Sequence, residues 1–139
     1  MKRSIGIFMM LMMLGITANA QSGIQEEMNN YVVSTTKIPQ LLPIILTAEA
    51  LKEEDGSRFG DFQIVMYGSN VKGLTNKEEM ETYTGKARAA GVKIAVCKLS
   101  LERLEIDAAE LHEYFEVVDH AFTHLIQLQK NKNYYSLQL

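Results

Sequence analysis

Hydrophobic and polar positions along the chain fall into short blocks whose period switches between two and about 3.6 residues. Tyr31 to Thr35 is short and β-branched and predicts a strand. From Pro39 to Glu54, Leu42, Ile45, Leu46 and Leu51 recur at helical spacing with the small Ala48 and Ala50 between them. Pro39 and Pro43 suit the first turn of that helix, where a missing N–H costs little, and Asp55-Gly56 closes it. Phe62 to Tyr67 (FQIVMY) is an apolar run that reads as a second strand and stops at Gly68. A loop follows from Gly68 to Leu74. Thr75 and Glu78 have capping-box spacing for a helix that reaches about Ala90 and is ended by Gly91.

Val92 to Cys97 (VKIAVC) predicts the third strand. Ser100 is placed to cap a short helix through Arg103, and Asp107 with Glu110 to cap another that reaches about Tyr114. Phe115 to Val118 reads as a fourth strand, Asp119 as the cap of a helix from Ala121 to Lys130, and Tyr134 to Leu139 as a fifth strand. Strands that alternate with helices imply an α/β fold, a parallel sheet with helices on both faces. Right-handed crossovers follow from chain chirality, while the pattern leaves the strand order open.

Composition first changes the picture at the N-terminus. Lys2 and Arg3 precede an apolar run from Ile5 to Ile16, and Ala18-Asn19-Ala20 forms an A-x-A site. These are the marks of a signal peptide over residues 1–20, cleaved after Ala20, and they predict a periplasmic or secreted protein. The run is short for a transmembrane helix, so no membrane association is expected after cleavage. Residues 21–30 read as a polar lead-in, and 31–139 as one domain. Cleavage would take two of 14 basic residues and none of the 17 acidic ones, leaving a mildly acidic chain. That charge gives no footprint for nucleic acid. Five of the eight methionines would leave with the peptide, so a Met-rich site is not indicated.

Ligands of open parallel sheets gather beyond the carboxyl ends of the strands. The residues there are Thr36 and Lys37, then Tyr67, Gly68, Ser69 and Asn70, then Cys97 and Lys98, then Asp119 and His120. Cys97 is the single cysteine, which excludes an internal disulfide and any cysteine-cluster zinc site. It ends a strand just before a helix N-terminus, where amide donors and nearby Lys98 and Arg103 favour a thiolate able to attack sulfur. His120 is a candidate base for it, beside Asp119. A buried cysteine that packs as a small hydrophobe is the alternative.

His120 and His124 share a helix face, but two histidines without a third ligand do not make a metal site. The segment GSNVKGLT matches neither nucleotide-binding glycine pattern, GxSxG is absent, and no cofactor is expected. Tyr134, Tyr135, Leu137 and Leu139 suit either ordinary sheet packing or a subunit interface.

The ordered series FQIVMYG, AAGVKIAVC, Arg103 with Ile106, FEVV, VDHAFTHLIQLQ and KNYYSL resembles the DsrE/DsrF-like family of sulfur-relay proteins over about residues 31–139. The resemblance implies a three-layer α/β/α sandwich with a mainly parallel sheet of about five strands. It also implies a homo-oligomer, a trimer or hexamer. Cys97 matches the position at which relay members carry sulfane sulfur as a persulfide, received from a donor and passed to an acceptor thiol. Arg103 and Ile106 fit the pattern around that cysteine. The expectation is an exported persulfide carrier, with Lys98 and Arg103 as electrostatic helpers and His120 as proton acceptor. The alternative is a non-enzymatic oligomeric module that binds a small ligand or a protein, with Cys97 merely packed.

Overall fold

The structure is a computed structural model that describes residues 27–139. The expected signal peptide, and most of the lead-in, lie outside the described residues. Five strands are described, β1 (Asn29–Thr35), β2 (Phe59–Met66), β3 (Val92–Cys97), β4 (Phe115–Val118) and β5 (Tyr134–Gln138). They form one sheet in the order β4-β3-β2-β1-β5, and every pairing is parallel. The helices are α1 (Leu41–Asp55), α2 (Lys77–Ala90), the single-turn-and-a-half α3 (Lys98–Arg103) and α4 (Ala121–Lys132).

Side chains of successive strand residues point to opposite faces, and the two faces are covered differently. Phe62, Ile64 and Met66 of β2, with Val92, Ile94 and Val96 of β3, pack against Leu41, Ile44, Ile45 and Ala48 of α1 and Met80 and Ala87 of α2. Leu101 of α3 joins the same cluster. On the other face Val32, Val65, Ala95 and Cys97 pack against Ala121 and Leu128 of α4. The result is the expected α/β sandwich of three layers.

Chirality explains why α4 stands alone on its face. From β1 to β4 the chain adds strands in one direction, with α1 and α2 on one face. From β4 it returns across the sheet to place β5 beside β1. A right-handed crossover in the opposite direction must use the opposite face.

Several element boundaries differ from expectation. β1 starts at Asn29, so the end of the polar lead-in is part of the sheet. Pro39 belongs to a 3-10 turn, Ile38–Gln40, ahead of α1, and Pro43 is the third residue of α1. β2 starts at Phe59, because Asp61 uses its side chain on the sheet face rather than in a turn. The loop after Gly68 is a 3-10 turn, Ser69–Thr75. Asn76, not Thr75, caps α2, its side chain accepting from the Glu79 amide. Both pairs have the same spacing, and Asn76 wins one residue later. Gly91 ends α2 in the left-handed region at φ 75°, which glycine adopts without penalty.

The Asp107–Glu110 capping box is present, but it opens a single 3-10 turn, Ala108–Glu110, rather than a helix to Tyr114. Ser100 lies inside α3 and does not cap it; Cys97 holds the N-cap position. Asp119 does not cap α4, since His120 occupies that position with extended backbone and no side-chain capping bond.

Candidate functional site

The carboxyl ends of β3 and β4 mark the topological switch of the sheet. The chain after β3 leaves over the α1/α2 face through α3, and the chain after β4 leaves over the opposite face through α4. Diverging connections open a crevice between adjacent strands. A cavity of about 250 Å³ lies there, and its walls include Cys97, Tyr67, Gly68, Ser69, Arg103 and His120. Five of the residues placed at this edge by sequence, with Arg103, therefore share one cavity.

Cys97 stands at the end of β3 in register with Val118 of β4. Its side chain points to the α4 face and is 3% exposed. The Ala121 N–H donates to Cys97 Sγ at 3.4 Å. Ala121 is the first residue of α4, so its amide is one of the four that a helix leaves without an internal partner. The sulfur satisfies the N1 amide, ahead of the amides that a capping side chain would take. The same N–H and the positive end of the helix dipole would face any negative charge that develops on the sulfur.

The opposite wall is built from β2 and α3. Gly68 ends β2 with φ 82°, and a Cβ there would come within 3.4 Å of Thr36 Cγ2. Its N–H donates to Ser100 Oγ at 2.9 Å, tying the β2 loop to α3. α3 ends in a Schellman cap: the Ile106 N–H bonds Leu101 O and the Glu105 N–H bonds Glu102 O. Glu105 holds the left-handed position, φ 55°, where glycine is usual. The cap fixes the C-terminal end of α3, from which Arg103 reaches the cavity.

Tyr67 packs edge-on against Phe122 of α4, and its hydroxyl accepts from Gln138 of β5. His120 packs edge-on against the same Phe122, and its Nδ1 pairs with Thr123 Oγ1 at 3.0 Å. Leu99, Leu104 and Phe122 supply apolar walls, with Leu99 and Phe122 about half exposed at the rim.

The remaining edge candidates lie elsewhere. Asn70 lines a neighbouring cavity and donates to the Thr36 carbonyl at 2.7 Å. Asp119 faces a separate surface hollow along β4 and α4. Lys98 is exposed and 3.9 Å from Glu102. His124 borders the same surface hollow as His120 and pairs with Gln63 Oε1 at 2.9 Å, and His112 lies across the sheet with Glu81. Among the described residues no group of three or more His, Cys, Asp or Glu side chains is arranged to hold a metal ion. Nor is any described helix long and apolar enough to cross a membrane.

Sequence reasoning did not anticipate Leu99, Ser100, Leu104, Ala121 or Phe122 as walls of the cavity. It also missed a polar cluster beneath α4. The Tyr134 hydroxyl donates to Asp61 Oδ2 at 2.5 Å, Lys93 Nζ is 2.8 Å from Asp61 Oδ1, and Gln63 donates to Asp61 at 2.6 Å. Burial pushes the Asp61 carboxyl up, but the hydrogen bonds from Lys93, Tyr134 and Gln63 outweigh it and hold it below its usual range. Burial also raises the Tyr134 hydroxyl, and Asp61 raises it further. Desolvation lowers His124. Tyr135, by contrast, is 63% exposed and stacks on Tyr31 at the sheet edge.

No family pattern matches the sequence, and no curated protein matches it. Two solved structures share its fold. One is a protein of unknown function, MTH1491 from Methanobacterium thermoautotrophicum, 18% identical with a TM-score of 0.65, covering 81% of this chain and 99% of its own. The other is a conserved protein of unknown function, BT1422 from Bacteroides thetaiotaomicron, 16% identical with a TM-score of 0.61, covering 80% of this chain and 95% of its own. At these identities the likeness extends to the fold alone.

Proposed function

We propose that the protein is an exported DsrE/DsrF-like persulfide carrier, with Cys97 as the sulfur-bearing thiol. The observation that carries this reading is the Ala121 N–H directed at Cys97 Sγ at the floor of a cavity lined by Arg103 and His120. In the reaction, the Cys97 thiolate attacks the outer sulfur of a donor persulfide, RS–SH. A new S–S bond forms as the donor's S–S bond breaks, and RS⁻ leaves. Cys97 then holds one extra sulfur, with no net change in oxidation state. An acceptor thiolate reverses the step and takes that sulfur away. His120 receives the thiol proton, and Arg103 faces the anionic sulfur. A single cysteine has no resolving partner in its own chain, so the acceptor must be another molecule.

A second reading is an oligomeric binding module in which Cys97 only packs. The exposed apolar positions Tyr135, Leu137 and Leu139 along the β5 edge favour it.

Mass spectrometry after treatment with an inorganic polysulfide separates the two. The carrier gains about 32 Da, one sulfur atom, on Cys97, and a thiol reductant removes it. The Cys97→Ser protein gains nothing. A thiol that neither takes sulfur nor alkylates at neutral pH in the folded protein overturns the carrier reading.

A further inference from the structure

A second cavity, of about 660 Å³, lies beside the first at the carboxyl ends of β1 and β2, with Lys37, Asn70 and Lys72 among its walls. Ser69 lines both cavities, so they adjoin. The Asn70 side chain bonds the Thr36 carbonyl at 2.7 Å and Gly68 bonds Ser100, so the wall between them is fixed from both sides.

The charge at this edge departs from that of the chain. Acidic residues outnumber basic ones 17 to 14 over the whole sequence. Yet no carboxylate lines either cavity, while Lys37, Lys72 and Arg103 do. Among the described residues neither Lys37 nor Lys72 forms a salt bridge, whereas Lys98 pairs with Glu102 and Lys93 with Asp61. Glu78, Glu81 and Glu113 instead surround a hollow beside α2. A concave edge of one sign attracts the opposite one.

We infer that the sulfur donor is a low-molecular-weight thiol persulfide bearing carboxylates, whose anionic end lies between Lys37 and Lys72 while its sulfur reaches Cys97. This inference rests on the carrier reading. The first cavity is the smaller of the two, with Leu99, Leu104 and Phe122 among its walls, which suits a thioalkyl chain. The Cys97 sulfur is recessed, out of reach of a thiol held on a flat protein surface. The second cavity is wide, open and basic, which suits a flexible carboxylate group. The donor step balances as RS–SH plus the Cys97 thiolate giving RS⁻ plus the Cys97 persulfide, with R carrying the carboxylates.

The test compares glutathione persulfide, whose organic group is anionic, with cysteamine persulfide, whose organic group is cationic, by the rate of sulfur gain on Cys97 at low salt. Wild type should favour the anionic donor by about tenfold, and salt should erode that preference. In the Lys37→Gln/Lys72→Gln double variant the ratio should fall toward one. A preference that survives the double substitution, or that never existed, overturns the inference. A separate arm titrates S-methylglutathione, which has no sulfur to transfer, into the Cys97→Ser protein by calorimetry. Saturable binding, lost in a variant that also carries Lys37→Gln and Lys72→Gln, supports the anion site. Absence of binding overturns it. Sulfur gain from both donors at equal rates would leave the carrier standing and remove the anionic donor. Binding without sulfur gain from any donor would remove the carrier, and with it the donor role, and leave only the anion site.

Discussion

The two faces of the sheet are built from the same strands by opposite rules. The α1/α2 face has the larger apolar core, with Phe62, Ile64, Met66, Ile94 and Val96 all closed off from water, and its polar groups sit along β1, where the Tyr31 hydroxyl bonds Asp55 and Thr35 pairs with Gln40. The α4 face has a smaller apolar centre, Val32, Val65, Ala95 and Leu128, flanked by the Asp61 cluster toward the strand starts and by Cys97 at the strand ends. One face supplies stability through area and packing. The other, covered by a single helix, holds the thiol and the Asp61 cluster against the strands themselves. The larger apolar area on one side leaves room for such groups on the other, because the sheet depends less on that side for its hydrophobic stabilisation.

The largest effect expected from breaking this comparison is on the apolar face. Phe62→Ala should cost about 4 kcal/mol, read from urea unfolding, because it empties a fully closed site. Val65→Ala beside it on β2, under α4, should cost about half as much, since fewer methyl groups are lost. Equal losses would mean that the α4 face gains more stability for each buried carbon than the α1/α2 face.

Next in size is the polar cluster. Asp61→Asn leaves the Tyr134 hydroxyl and Lys93 without their carboxylate and should cost about 1–2 kcal/mol. The same cluster makes the α4 face sensitive to acid. His124 has its folded value below the ordinary histidine range, so its neutral form is favoured in the fold. Its contribution is complete above about pH 6.5 and declines as pH falls through the folded value. Asp61 is also lowered, so its contribution is lost at still lower pH, as the folded carboxylate is protonated. Urea midpoints should therefore fall in two stages as pH drops from 7, the first below about pH 6.5 and the second below about pH 3.8. His124→Gln should remove the first stage and Asp61→Asn the second. A midpoint flat over that range would contradict both.

The sequence shows the apolar face more plainly than the polar one, for a physical reason. Runs such as FQIVMY and VKIAVC identify buried strands whatever they pack against. Asp61 and Gly60 interrupt the apolar run of β2 and look like a turn, because the partners that make Asp61 a strand residue, Lys93 and Tyr134, lie far along the chain. The site follows the same division. Tyr67, Gly68, Ser69, Cys97 and His120 could be placed together because parallel strands end at one edge, and Arg103 joined them by its closeness to Cys97 along the chain. The Ala121 N–H bond to Cys97 could not, since it joins residues 24 apart. Asp119 reads as a helix cap in isolation, but the helix starts one residue later and His120 holds that position. The two lysines of the second cavity come from loops after different strands and share no motif.

The smallest effect tests the cap that joins the apolar face to the site. Glu105 holds the left-handed position of the Schellman motif that ends α3, while Leu101 and Ile106 on either side of the cap pack into the α1/α2 cluster. A side chain with a Cβ pays about 1 kcal/mol in that region, and glycine does not. Glycine also gains freedom in the unfolded chain, which offsets part of the benefit. Glu105→Gly should therefore stabilise the protein by about 0.5 kcal/mol in urea unfolding. The rate of Cys97 alkylation separates two origins of the strained residue. If Glu105 serves only to end the helix, Glu105→Gly leaves that rate at the wild-type value. If the strained cap tunes how α3 holds Arg103 against the cavity, the rate changes although Glu105 is not among the residues lining it.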